Sequence, residues 1–179
     1  VLGRHYGFDK IKPLPEKLKE LIHKDKRNII LHPKSKGSAK EWGLENFKKL
    51  IELLPEEEFQ LFISGTQDEG QLIGDSLTFE KANVTSLVGM LSLDEFISFI
   101  AAADGLIAAS TGPLHISAAL GKKAIGLFSP KRPIHPGRWS PVGKQAKSVV
   151  FDPNCETCKN GKECNCIQEI TPQQVANLL

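Results

Sequence analysis

The sequence predicts an α/β fold: a Rossmann-like, doubly wound parallel sheet with helices on both faces. Short segments that are apolar throughout recur along the chain, and they alternate with segments whose apolar residues have helical spacing. Strands of this continuous apolar kind are typical of a parallel sheet that is buried on both faces. Glycine and polar residues collect directly after these segments, at the edge where a doubly wound sheet binds ligands.

Six strands are predicted, and several of them end at a proline or a hydroxyl residue. The first ends at His32-Pro33 and the fifth at Ser129-Pro130, because proline removes a donor from the ladder of a sheet. The predicted strands cover residues 28–32, 59–64, 84–88, 105–109, 123–128 and, as the weakest of the six, 148–151.

Helices are predicted between the strands from apolar spacing and from N-cap signals. Ser92-Leu93-Asp94-Glu95 is typical of a capping box, and Thr171 followed by Pro172 is typical of an N-cap and first helical residue. The predicted helices cover a short segment around 18–22, residues 44–54 and 67–77, and the segments that begin at 92, 113 and 172.

Composition limits the class of protein. With 179 residues, of which 40% are hydrophobic, the chain can bury the core of one domain, and a net charge of +2 gives no indication of nucleic acid as a partner. No apolar run approaches the length of a membrane span. The chain begins at Val1 without a methionine, so we expect residues 1–27 to be a connector and peripheral helix that follow a missing N-terminal domain. Residues 28–179, including a cysteine-rich segment at 152–168, are expected to form the domain itself.

The stretch from Ser110 to Gly121 contains the strongest functional signal. It follows an apolar strand, and the hydroxyls of Ser110 and Thr111 are expected to cap the helix that comes next. Gly112 would let a ligand approach the backbone, and Pro113 suits a first turn where its missing N–H has no partner. Because a helix N-terminus attracts anions, this turn predicts a site for a phosphate or pyrophosphate group.

Other loops at the same predicted edge add cations and a carboxylate, although each has a structural alternative. The lysines of 34–40 could form a solvated loop, Glu69 could be a first-turn acid, His115 could be a core histidine, and Trp42 could cover the core. Taken together, cations and N–H groups suit a pyrophosphate, and a carboxylate suits a sugar or ribose diol. The combination predicts a nucleotide-sugar site.

Four cysteines lie late in the chain, as a C-x-x-C followed by a C-x-C: Cys155, Cys158, Cys164 and Cys166. Zinc thiolates, reduced thiols and disulfides all stay open, because the spacing matches no common zinc ribbon and nothing else indicates secretion. The sequence favours reduced thiols, and we expect no metal and no cofactor.

The order of these motifs resembles the ADP-heptose:lipopolysaccharide heptosyltransferases of glycosyltransferase family nine, over about residues 28–179. The resemblance is carried by Lys40-Glu41-Trp42, Ser64-Gly65 with Glu69, Gly89-Met90-Leu91-Ser92-Leu93, and Thr111-Gly112-Pro113-Leu114-His115. The cysteine cluster, followed by Ile170-Thr171-Pro172 and Val175, is similar to one branch of that family.

The resemblance implies the C-terminal half of a GT-B glycosyltransferase, which binds the donor, while the missing half supplies the acceptor site and the catalytic base. It implies that Lys40, the Thr111-Gly112 turn and His115 lie near the diphosphate, that Glu69 meets a hydroxyl, and that Leu91 lies near the adenine. The predicted donor-site residues are therefore Lys40, Glu69, Leu91, Ser110, Thr111, Gly112, Pro113 and His115.

The implied function is transfer from an ADP-heptose-like donor to a lipopolysaccharide-core acceptor, with this fragment inactive alone. The implied location is the cytoplasm or the inner face of the inner membrane. Ser110 stands where the family usually has aspartate, and Gly43 where it usually has proline. Two alternatives follow: a GT-B enzyme that uses another donor, such as a UDP-sugar, or a non-catalytic Rossmann-like module.

Overall fold

A six-stranded parallel sheet forms the centre of the computed structural model, which describes residues 11–74 and 81–179. Each of the six predicted strands is confirmed to within two residues at either end. The strands are β1 (Arg27–His32), β2 (Phe59–Ile63), β3 (Val84–Ser86), β4 (Gly105–Ala109), β5 (Lys123–Phe128) and β6 (Ala146–Val150).

Short helices connect the strands and continue after β6. They are α1 (Glu16–Lys19), α2 (Leu44–Leu53), α3 (Gln67–Ile73), α4 (Leu93–Ala102), α5 (Gly112–Ala119), α6 (Pro136–Trp139), α7 (Glu156–Lys159), a 3₁₀ turn (Cys166–Glu169) and α8 (Pro172–Ala176). The helix predicted over 67–77 is confirmed as far as Ile73, and its residues 75–77 lie outside the described part. Ser92 forms the predicted capping box, and Thr171, predicted as an N-cap, also forms a capping box with Gln174.

The strand order is β3-β2-β1-β4-β5-β6, which confirms the doubly wound α/β prediction. Ile30 of β1 pairs with Phe62 of β2 on one side and with Leu106 of β4 on the other. After β1 the sheet grows in one direction to β3, and from β4 it grows in the other. The loops that leave β1 and β4 therefore diverge, and such a switch point opens a crevice at the carboxyl ends of the strands.

Side chains that alternate along the strands build one apolar core on each face of the sheet. Leu31 of β1 packs in the core that contains α2 and α8, whereas Ile30 packs in the core that contains α4 and α5. Trp42, predicted to cover the core, is buried inside the first of these, and its Nε1 donates to Ile170 O at 2.7 Å. This bond joins the loop after β1 to the C-terminal segment.

Residues before β1 contribute one packed turn, as expected. Leu18 of α1 is buried against the core on the α4 side of the sheet. Residues 1–10 lie outside the described part, so the division of the chain at residue 27 stays a prediction. Within the ranges 11–74 and 81–179, no helix combines the length and apolar character needed to cross a membrane.

Candidate functional site

A cleft lies at the carboxyl ends of β1, β2 and β4 and consists of two adjoining cavities. The first cavity, of about 350 Å³, extends over β1 and β2, and the second, of about 400 Å³, extends past β4 towards α6. Both are lined by Ser38, Thr111 and Gly112, so the N-terminus of α5 stands between them. The cleft is therefore at the switch point of the sheet, where the sequence predicted a ligand.

Thr111 occupies the N-cap position of α5, but the predicted capping bond is wrong. Its side chain accepts no hydrogen bond from the helix, and Oγ1 has no partner among the residues that the structure describes. The residue is 6% exposed, and a buried hydroxyl without a partner costs free energy. Thr111 lines both cavities, so this unpartnered hydroxyl belongs to a residue of the cleft wall.

The first turn of α5 is open to the cleft. A Cβ added at Gly112 would meet no atom within 4 Å, so a side chain there would project into open space. The turn contains no acidic residue, whereas Asp68 and Glu69 lie in the first turn of α3. The positive end of the α5 dipole is thus not neutralised by its own first turn, and an anion suits it.

Glu69 takes part in the N-terminal cap of α3 and also lines the first cavity. Its Oε2 accepts from the Thr66 N–H at 2.8 Å and from Thr66 Oγ1 at 3.1 Å, which completes a capping box. The structural alternative for Glu69 is therefore confirmed. Glu69 also lies in the cavity wall, and its contact with a hydroxyl of the ligand stays a prediction.

His32, at the end of β1, lies in the wall of the first cavity and was not predicted as a site residue. His32 Nδ1 and Ser64 Oγ form a hydrogen bond of 3.0 Å, and Ser64 Oγ lies 3.3 Å from Leu31 O. Burial lowers the pKa of His32, and the charge of Glu69 opposes that effect. The only sequence signal was its place before Pro33 at a strand end.

Apolar side chains form the far wall of the first cavity. Leu87, Leu91 and Phe96 line it, and Leu93, which is 68% exposed, stands among them. A planar ring of a ligand could therefore pack against the Leu91 side chain. The resemblance implied a contact of the adenine with the backbone near Leu91, which is a different contact. Phe96 and Leu93 both belong to α4, and the helical spacing of that segment does not mark either of them as a cavity residue.

Among the lysines of the loop after β1, Lys36 lines the first cavity, whereas Lys40 lines neither cavity. Lys36 has a left-handed φ of 48° and is followed by Gly37 at 77°, a turn that directs the loop over the cleft. The Lys40 ammonium contacts the Glu163 carboxylate, which Lys131 also contacts at 3.0 Å. These two lysines lower the pKa of Glu163 to about 2.

The second cavity brings Ser110 and His115 together with two residues that the sequence did not assign to a site. Arg138 and Trp139 of α6 lie opposite α5 in this cavity. The His115 ring centroid is 6.3 Å from that of Trp139, and partial burial lowers the pKa of His115. A guanidinium, a hydroxyl and an imidazole thus face the space beside the α5 turn.

The four cysteines gather in one cluster after β6. Their sulfur atoms all lie within 4.8 Å of one another, with Cys155 to Cys164 at 3.6 Å and Cys158 to Cys166 at 3.3 Å. These separations exceed an S–S bond of about 2.05 Å, so the thiols are not paired as disulfides. Four thiol ligands in such proximity could hold a metal ion.

The strand order and the cleft at its switch point define a Rossmann-like domain of the doubly wound α/β class. The sequence profile of Glycosyltransferase family 9 (heptosyltransferase) matches residues 7–167. The chain belongs to this family, and the resemblance predicted from its motifs is confirmed.

Known proteins agree with this assignment. A lipooligosaccharide heptosyltransferase 2 of Campylobacter jejuni is 29% identical over 175 residues, which cover 90% of this chain and 54% of the relative. A family 9 glycosyl transferase of Veillonella parvula superposes with a TM-score of 0.73 at 15% identity, over 93% of this chain and 51% of that one. The Escherichia coli heptosyltransferase WaaC with ADP gives a TM-score of 0.70 at 20% identity, over 89% and 45%.

The solved structures show the shared fold. The chain spans between 32% and 54% of the length of the curated relatives that it matches. It therefore corresponds to about half of such a protein or less.

Proposed function

We propose that this chain is the donor-binding domain of a heptosyltransferase, and that it binds an ADP-heptose-like nucleotide sugar for assembly of the lipopolysaccharide core. The observation that carries the proposal is the α5 N-terminus in the cleft, with the unpartnered Thr111 hydroxyl beside it in the part of the chain that is described. A helix N-terminus without an acidic first turn, together with a buried hydroxyl, matches the needs of a diphosphate.

The diphosphate lies over the first turn of α5 in this proposal. Thr111 Oγ1 and the Gly112 N–H donate to its oxygens, and the Lys36 ammonium balances its charge from the loop above. Lys40, which the resemblance assigns to the same group, would first have to leave its ion pair with Glu163. Pro113 supports this arrangement because it keeps the first turn helical without an N–H of its own.

The two cavities would then hold the two ends of the donor. The adenosine lies in the first cavity against Leu91 and Phe96, with Glu69 near a ribose hydroxyl. The sugar enters the second cavity, where Ser110 and His115 face it. A family member with this fold has been solved with ADP, which supports an adenine nucleotide as the ligand.

In the proposed reaction an acceptor hydroxyl attacks the anomeric carbon, its proton passes to a base, and ADP leaves with the bonding electron pair. Negative charge grows on the leaving diphosphate. The α5 N-terminus, Thr111 and Lys36 are placed to stabilise that charge, and donors that are already oriented do so without reorganisation. The base and the acceptor site belong to the other half of the enzyme, so the isolated chain is expected to transfer no sugar.

Such a role places the full-length enzyme in the cytoplasm or at the inner face of the inner membrane, where nucleotide sugars and the growing core meet. This location is part of the proposal and depends on the proposed acceptor.

Calorimetric titration of the chain with ADP, UDP and adenosine tests the proposal. We expect ADP to bind better than UDP, and Gly112→Val to weaken ADP binding while circular dichroism and the melting temperature stay near wild type, because the space at Gly112 is open. Gly112→Ala is the matched control and is expected to have a smaller effect. Preference for UDP would favour the UDP-sugar alternative. No binding of any nucleotide by the folded chain would contradict the proposal and favour a non-catalytic module.

A further inference from the structure

The thiol cluster, formed by Cys155, Cys158, Cys164 and Cys166, lies outside the cleft. Cys155 is the N-cap residue of α7 and Cys158 lies within that helix, whereas Cys164 precedes the 3₁₀ turn and Cys166 is its first residue. Two different stretches of chain therefore supply two sulfur atoms each to one point.

The distances match a tetrahedral metal site. Zinc–sulfur bonds of about 2.3 Å place neighbouring sulfur atoms of a tetrahedron about 3.8 Å apart. In the cluster, two sulfur pairs lie at 3.6 Å and 3.3 Å, and the whole set lies within 4.8 Å. A sub-ångström adjustment would bring all four sulfur atoms to one ion. Thiolate sets of this geometry select zinc or iron.

Two of the four cysteines are buried and have a polar neighbour, as is typical of a metal site. Cys158 is 1% exposed and Cys166 is 7% exposed, and the Ser129 hydroxyl after β5 lies 3.5 Å and 3.8 Å from their sulfur atoms. The segment around them contains only α7, of four residues, and a 3₁₀ turn. So little regular structure gives a segment few contacts of its own, and a metal ion would hold it together.

We propose that the four cysteine thiolates bind one zinc ion in a closed structural site. Four protein ligands leave no position for water or substrate, which separates this site from the donor cleft and from catalysis. This proposal departs from the sequence-based expectation of reduced thiols without a metal.

The site connects the C-terminal segment to the rim of the sheet. Glu163 lies next to Cys164, and its carboxylate contacts both Lys40 and Lys131. The bound ion keeps Glu163 against these lysines, which belong to the loops after β1 and β5. Loss of the ion is therefore expected to loosen the segment and the two lysines while the sheet stays folded.

Metal analysis of the purified chain tests this inference without any measurement of transfer. We expect one zinc per chain after growth with zinc and iron both supplied, and a reversible fall in melting temperature when a chelator removes it. Replacement by Co²⁺ should give the visible bands of a tetrahedral thiolate site. The double variant Cys158→Ser/Cys166→Ser is expected to retain roughly a tenth of the zinc or less. Ser129→Ala, which removes a neighbour but no ligand, should retain it.

Three results would overturn the proposal. One iron per chain would overturn the assignment of zinc, and so would four reactive thiols in metal-free protein whose melting temperature is unaffected by zinc. Thiol titration of wild type with and without chelator keeps the test valid if the serine variant does not fold. Two disulfides in the freshly purified chain would also overturn the proposal.

Discussion

Replacing Thr111 with valine is expected to stabilise the chain and, at the same time, to weaken its affinity for ADP. Oγ1 of Thr111 is buried without a partner in the described structure. Valine has nearly the same shape, and its β-branched side chain suits the extended backbone at this position, where φ is −130°. The substitution therefore removes the hydroxyl without creating a cavity.

The burial of the Thr111 hydroxyl sets the size of the change in stability and of the change in ADP affinity. An unsatisfied buried hydroxyl costs about 1–3 kcal/mol. No cap bond is lost, because Thr111 makes none. With a conservative gain of about 1 kcal/mol, the melting temperature of a chain of this size should rise by about 2–4 °C. A hydrogen bond to a charged group contributes about 1.5–3 kcal/mol, so ADP affinity should fall about ten- to hundredfold.

Ser117 provides the matched control. Its hydroxyl is also buried and unpartnered among the described residues, and it belongs to the same helix, but it lines neither cavity. Ser117→Ala should raise the melting temperature without changing ADP affinity. Thermal unfolding and calorimetry on both variants make the comparison. A less stable Thr111→Val variant with unchanged ADP affinity would contradict this prediction, since the hydroxyl would then stabilise the fold and not bind the ligand.

Three further predictions concern the loop after β1, the end of β1 and the C-terminal contact. Lys36→Ala is expected to weaken ADP binding by roughly 1–3 kcal/mol and adenosine binding much less, and equal losses for both ligands in calorimetry would indicate an effect on folding. Lys40→Ala, which removes a side chain that contacts Glu163 and lines neither cavity, is expected to weaken ADP binding less than Lys36→Ala does. Because burial lowers the pKa of His32, the unfolded chain gains a proton more readily, so the free energy of unfolding should fall as pH drops below about 6.5. His32→Gln should reduce this slope in urea titrations, and an unchanged slope would contradict it. Trp42→Phe, which leaves Ile170 O without its donor, should cost about 2–4 kcal/mol in the same assay, and a loss below about 1 kcal/mol would refute the burial argument.

The fold class followed from the sequence alone, because the strands β1, β2, β4 and β5 are apolar enough to be buried on both faces. It also placed the caps of α4 and α8, since a capping box is a local pattern of four residues. The start of α5 was also predicted from a local pattern. A helix begins where a strand is followed by two hydroxyl residues, a glycine and a proline.

Tertiary structure decided which side chains at the rim face the cleft. Lys36 and Lys40 belong to the same loop, but Lys36 lines the first cavity, whereas Lys40 contacts Glu163. His32 entered the cleft wall because β1 is central in the sheet and its neighbour β2 supplies Ser64. Contacts of this kind join residues that are distant in the chain, so no local pattern contains them.

The cysteines show the same limit. Their spacing left three chemical states open, since the distance between a C-x-x-C and a C-x-C depends on how the turn between them folds back. The structure brings the four sulfur atoms within 4.8 Å of one another. The sequence shows which groups follow the strands, whereas the fold of the segment after β6 decides that its cysteines meet Ser129 and that Glu163 meets Lys40 and Lys131.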